Sequence, residues 1–225
     1  MTAQPSISVR GEAVLEVDPE IAVLSVTVMA RDKDRRRALD LLAKRNGNVL
    51  AVVRRLGEAV EKVESGSASV HPEFKDGSRA KERITAYVAR GSVSVTVGDF
   101  TVLGDLVASL AGEEMVAVAG PWWSLRPDSP VRAQVRLHAA RDALDRARQY
   151  AEAFGGRVTG LAEVADAGLL TDGEHPVRMR AMAASGGGEF AVAAQGTELE
   201  FEPARQTVRA QVEARFTMTS PSFDT

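Results

Sequence analysis

The chain has no cysteine, so disulfides, thiolate metal sites and cysteine nucleophiles are excluded at the start. Histidine is almost as scarce: His71, His138 and His175 lie far apart in the 225 residues, with no ligand spacing among them. An excess of positive charge is also missing. Lys and Arg number 28 against 31 Asp and Glu, which argues against nucleic acid as the main partner, because phosphate binding calls for a net basic surface or stripe. No run approaches the ~20 apolar residues of a membrane span. The opening MTAQPSISVRGEAVLEV has no basic segment, apolar core or small-residue cleavage site, so with Met1 as the start a cytoplasmic location is expected.

What is present is mostly β pattern. Ile7, Val9, Gly11, Ala13, Leu15 and Val17 share one parity against Ser6, Ser8, Arg10, Glu12 and Glu16, which predicts a strand with one buried face. Asp18-Pro19 stops it, and a second apolar run follows over 21–29, so a hairpin is expected at the N-terminus. Ala38, Leu42, Val49, Val53 and Leu56 recur at helical spacing and predict a long helix over 32–57 that stops at Gly57, with Asn46-Gly47 as a place for a kink. Residues 62–74 and 83–97 predict a hairpin around Lys75-Asp76-Gly77-Ser78. Ile84, Ala86 and Val88 are even and Val93, Val95 and Val97 odd, so a β-bulge is expected near Arg90-Gly91.

A short helix over 100–111 and a strand over 115–125 come next. A long helix to Phe154 is then expected, capped by Asp128 or Ser129, with Pro130 in its first turn. Its predicted apolar stripe is Ala133, Leu137, Ala140, Leu144, Ala147, Ala151 and Phe154, small enough to lie close against a sheet. Gly155-Gly156 ends it. A strand over 157–166, a long mobile loop over 171–197 and a strand from Val208 to Met218 complete the pattern. The expected fold is α+β, with mainly antiparallel sheets built from hairpins and two long helices packed on one face. A single domain over 6–219 with two intertwined subdomains and a shared core is expected, between flexible ends at 1–5 and 220–225.

The first strand with Gly11, the Asp18-Pro19 turn and the apolar strand after it resemble the opening of the SIMPL domain family, formerly a domain of unknown function. Val70-His71-Pro72-Glu73-Phe74, the alanine-spaced helix from Ala140 to Gly155, and Phe201-Glu202-Pro203 before the last strand are similar to further landmarks of that family. Ala204-Arg205 departs from it, standing where relatives often carry glycine and an acid. The resemblance implies an α+β fold and ring-like or channel-like oligomers. It also implies export for many bacterial relatives, a link to oxidative-stress tolerance for some, and kinase signalling for an animal member. It brings no catalytic residues.

No constellation for chemistry stands out. His71 lacks a nearby His or Cys partner, and His138 sits among arginines on a helix; both read as structural or solvated. His175 lies in the long loop before Pro176. The basic group Arg31, Lys33, Arg35, Arg36 and Arg37 is interleaved with Asp32 and Asp34 and reads as a solvated face with local ion pairs, anion binding being the less favoured alternative. Gly186-Gly187-Gly188 lacks the strand, helix and lysine of a phosphate loop. Glu64-Ser65-Gly66-Ser67 is no nucleophile elbow, and Glu113-Glu114 reads as a polar turn. Trp122-Trp123 cannot both enter one core from a strand, so one of them is either a candidate interface residue or covered by the long loop.

The expectation is therefore a non-catalytic, oligomer-forming protein with a link to stress response. It has no catalytic, cofactor-binding or metal residues and no cofactor, and its partners are copies of itself, with no nucleic acid and no membrane span. The alternative is a small-molecule-binding module or unrecognised enzyme with a site under loop 171–197. A signalling adaptor is a further one, resting on the resemblance alone.

Overall fold

The computed structural model describes residues 4–74, 84–170 and 199–222. Ten elements follow in the order β1 (Ser6–Val17), β2 (Ile21–Asp32), α1 (Arg35–Arg54), β3 (Val60–Phe74), β4 (Ile84–Val97), α2 (Leu103–Ala111), β5 (Val116–Ser124), α3 (Pro130–Ala153), β6 (Val158–Asp166) and β7 (Gln206–Met218). The α+β class read from the sequence is what is found. The described residues form two compact units: one of residues 18–74, 84–126 and 199–206, the other of 4–17, 127–170 and 207–222. Each has its own sheet, β3-β4-β2-β5 in the first and β1-β7-β6 in the second.

That topology corrects the expected N-terminal hairpin. β1 and β2 belong to different sheets, and Asp18-Pro19 joins them without pairing them. The chain break is local and was legible; the choice of partner is not local. β1 pairs instead with β7 at the other end of the chain. Contacts Ser8–Arg215, Arg10–Glu213 and Glu12–Gln211 step in opposite directions along the two strands, as an antiparallel ladder requires.

In the first unit, β2 is an inner strand, and seven of its twelve residues are Val, Ala, Leu or Thr. Ala22, Leu24, Val26, Val28 and Ala30 face the same side as their β4 partners Val97, Val95, Val93, Gly91 and Ala89. α1 covers this face with Ala38, Leu42, Val49 and Val53, and α2 adds Leu103, Leu106 and Leu110. Asp34 caps α1, its side chain accepting the Arg37 N–H at 2.9 Å. α1 runs unbroken through Asn46-Gly47 and ends three residues before Gly57, whose φ is +55°.

β4 keeps one register with β2 from Tyr87 to Val97, so the bulge expected at Arg90-Gly91 is absent. The extra residue is on β3 instead: Ser65 pairs with Val93 and Ala68 with Gly91. Ala86 and Val88 lie on the other face of an inner strand that is partly covered on both sides, and an extra residue of β4 falls further back, at Thr85, because Glu73 pairs with Ala86 and Phe74 with Ile84. The turn residues Lys75 to Ser78 lie outside the described residues.

In the second unit, Ser129 caps α3 and Pro130 opens it, as expected. The buried stripe differs from the expected one: it is Val135, Ala139, Ala143, Ala147 and Ala151, while Leu137 and Phe154 are exposed. Alanines recur seven apart at 133, 140 and 147 and four apart at 139, 143, 147 and 151, and packing against β1 selects the second row. Val9, Ala143, Ala147, Ala214 and Phe216 form this unit's buried cluster.

Candidate functional site

The second unit carries an open groove of about 440 Å³ between α3, β6 and β7. It exists because α3 packs chiefly along β1, leaving the same side of the sheet less covered over β7 and β6. Ala140, Ala143 and Leu144 form the helix wall; Val212, Ala214 and Phe216 form the floor; Val158, Leu161 and Val164 form the outer wall. Among the described residues Thr159 supplies the one polar side chain of the lining, and its hydroxyl stands 3.0 Å from that of Thr217.

Leu161 and Val164 are 57% and 55% exposed, which is high for apolar side chains beside a core. Two bulges place them there. Val158 pairs with Met218 and Gly160 with Thr217; Leu161 pairs with Phe216 and Glu163 with Arg215. Each step leaves one extra residue, Thr159 and then Ala162, on β6. Each extra residue flips the strand's parity. Val158, Leu161 and Val164, three apart rather than two, thus share a wall. That three-residue spacing is the signal the sequence offered, and it was missed.

One titratable group beside this sheet is firmly held. The Glu213 carboxylate accepts from the Arg10 guanidinium at 2.7 Å and from the Leu170 N–H at 3.3 Å. The hydrogen bond from Arg10, helped by the Gly168 and Leu170 backbone, holds its pKa below the usual glutamate range despite burial. It fastens the turn after β6 to β7 and does not enter the groove lining.

The residues singled out in the sequence do not converge. Trp123 packs inward and meets Phe100 edge-on, with ring centroids 4.9 Å apart, whereas Trp122 is 50% exposed on the edge strand β5. An extra residue at Gly120-Pro121, where Gly120 has φ +112°, separates this end of β5 from the rest of its ladder with β2. His71 and His138 are exposed, on β3 and α3. His175, the Gly186–Gly188 run and loop 171–197 fall outside the described residues. Among the described residues no group of His, Asp and Glu is arranged to hold a metal ion, and no helix is long and apolar enough to cross a membrane.

Arg31 pairs with Glu73 at 2.6 Å, yet Asp32 and Asp34 accept backbone N–H groups rather than pairing with the neighbouring cations. Glu113 and Glu114 do form a polar turn, receiving Asn48 and Arg45 of α1. Arg205 pairs with Asp18 at 3.4 Å.

The model of a family described as SIMPL, protein of unknown function (DUF541), matches residues 7–216. Two curated relatives are each 27% identical to this chain over 177 residues, covering 73% of it and 69% of themselves. Both are called 26 kDa periplasmic immunogenic protein, one from Brucella melitensis biotype 1 and one from Brucella abortus (strain S19). Their names do not support the cytoplasmic location expected from the sequence.

Proposed function

The chain belongs to the SIMPL family, and from that premise we propose that it is a non-catalytic protein that works by assembling with copies of itself. The carrying observation is the groove of the second unit, whose wall residues Leu161 and Val164 expose apolar surface next to a small core. Contiguous exposed apolar surface marks interaction sites. Trp122, on an edge strand of the first unit, is a second contact in this reading. The naming of both relatives supports a periplasmic site of action, which fractionation of the producing cell tests. The stress-response link stays in the proposal on the family resemblance alone.

Light scattering coupled to size exclusion tests the assembly. The wild type should elute as an oligomer at micromolar concentration, and Leu161→Glu/Val164→Glu should shift it toward the monomer without loss of fold. A strictly monomeric wild type would sink the reading.

A second reading is favoured by the shape of the same groove. Its volume lies within the range of small-molecule sites, and its lining would take an apolar ligand such as an acyl chain. A ligand that binds only the native state raises the melting temperature. Laurate should do so for the wild type and not for the double variant; no shift with the wild type removes this reading.

A further inference from the structure

We propose that the exposed face of α1 docks on an anionic phospholipid surface. Residues 31–55 hold nine of the chain's 28 Lys and Arg but only three of its 31 Asp and Glu, so an acidic protein carries one strongly basic element. Arg35, Arg36 and Arg37 occupy the first turn, where no acidic residue accompanies them. Cations are disfavoured there, because the helix dipole is positive at its N-terminus. The fold does not neutralise them. The side chains of Asp34 and Asp32 accept the Arg37 and Asp34 N–H groups, and Arg31 is taken by Glu73. Among the described residues, Lys33, Arg35, Arg36 and Arg37 make no ion pair. α3 shows the ordinary alternative, with Arg146 on Asp142 and Arg148 on Asp145 along one helix.

Shape selects the kind of partner. At ~1.5 Å per residue α1 is about 30 Å long, and its cations line a convex helix rather than converge on a pocket. Between them Leu39, Ala43, Gly47 and Ala51 recur four apart on the exposed side. Nothing lies within 4 Å of where a Cβ on Gly47 would stand, so no wall rises over the row. Arg45 is held inward by Glu114 and the Met29 carbonyl, but a broad anionic plane meets the exposed cations of α1 together, and each Lys or Arg near such a plane adds attraction. Leu39, exposed beside the arginines, suits the boundary between headgroups and acyl chains. α1 has no aromatic residue on which a nucleobase could stack.

Vesicle co-sedimentation of the full chain tests this. Vesicles containing phosphatidylglycerol should bind it on the order of tenfold or more tightly than vesicles of phosphatidylcholine alone, and salt at about 0.5 M should release it. Arg35→Gln/Arg36→Gln/Arg37→Gln should lose about tenfold or more in that affinity, with an unchanged or higher melting temperature. Arg132→Gln/Arg136→Gln/Arg141→Gln, which removes the same charge from α3, should keep it. The proposal is overturned by equal binding to both vesicle types, by equal loss in both triple variants, or by a single-stranded oligonucleotide binding more tightly than the anionic vesicles.

Discussion

A methyl group on Gly11 would overlap the Ala139 carbonyl oxygen and stand 2.5 Å from the Ala143 nitrogen and 2.8 Å from its Cβ. Two of these neighbours are backbone atoms and none can swing away. Gly11→Ala should therefore cost about 1–3 kcal/mol or more, the range for overpacking a tight contact, read as a lower urea midpoint. Gly47 is the counter-case. It lies inside α1 with open space beyond it, so Gly47→Ala should stabilise by about 0.5–1 kcal/mol through backbone entropy alone. The same substitution with opposite signs tests whether contact or conformation governs each glycine. Alternation placed Gly11 on the buried face, but the helix pressing on it was not visible in the sequence.

Glu213 gives the pH dependence at this scale. Its pKa is lower in the fold than in the unfolded chain, chiefly through Arg10, so its contribution is complete above the unfolded glutamate range and fades as pH falls through the folded value. Glu213→Gln should lower stability at neutral pH by about 1–3 kcal/mol, as for a charge-assisted hydrogen bond to a buried group. It should also flatten the loss between neutral and acid pH, measured by urea denaturation across that range. An acid limb identical to the wild type's would remove this role.

At the scale of elements, existence and extent were largely legible, because the apolar periods of β1, β2, α1 and β7 are strong, and Asp18-Pro19 and Gly57 mark the stops of β1 and α1. Faces were harder to read. α3 has alanines at 133, 140, 147 and 151 and at 139, 143, 147 and 151, and composition cannot choose between the two rows. The bulges on β3 and β6 answer to partner strands that the sequence does not identify, so the one expected on β4 was misplaced. Two valine and leucine truncations on α3 separate the faces. Val135→Ala, at a fully buried site, should cost roughly 1–3 kcal/mol, whereas Leu137→Ala, at a 59% exposed one, should stay within about 0.5 kcal/mol. Thermal or urea unfolding of the two variants checks the order; a costlier Leu137→Ala would restore the stripe expected from spacing.

For the whole molecule, class and family could be read from the order of strands and helices, while the pairing of β1 with β7 could not. That contact joins residues about 200 apart, and hydrophobic alternation carries no record of which strand lies alongside. The consequence is two units with unequal interiors. In the first, a unit of four strands and two helices, seventeen buried apolar residues form one cluster; in the second, the buried cluster holds five, among the described residues. Stability follows buried apolar area, so openings should differ in free energy between the two. Native-state hydrogen exchange should find the β2 and β4 amides exchanging only through the costliest opening, with those of β7 and α3 exposed by an opening lower by about 2 kcal/mol or more. Protein concentration sharpens the test. If copies cover the groove, protection of β6 and β7 should rise with concentration while that of β2 stays fixed, because a partner that binds only the folded unit stabilises that unit. Equal protection of β2 and β7 at every concentration would mean that only global opening exposes either sheet, and the inequality of the two interiors would then have no energetic expression.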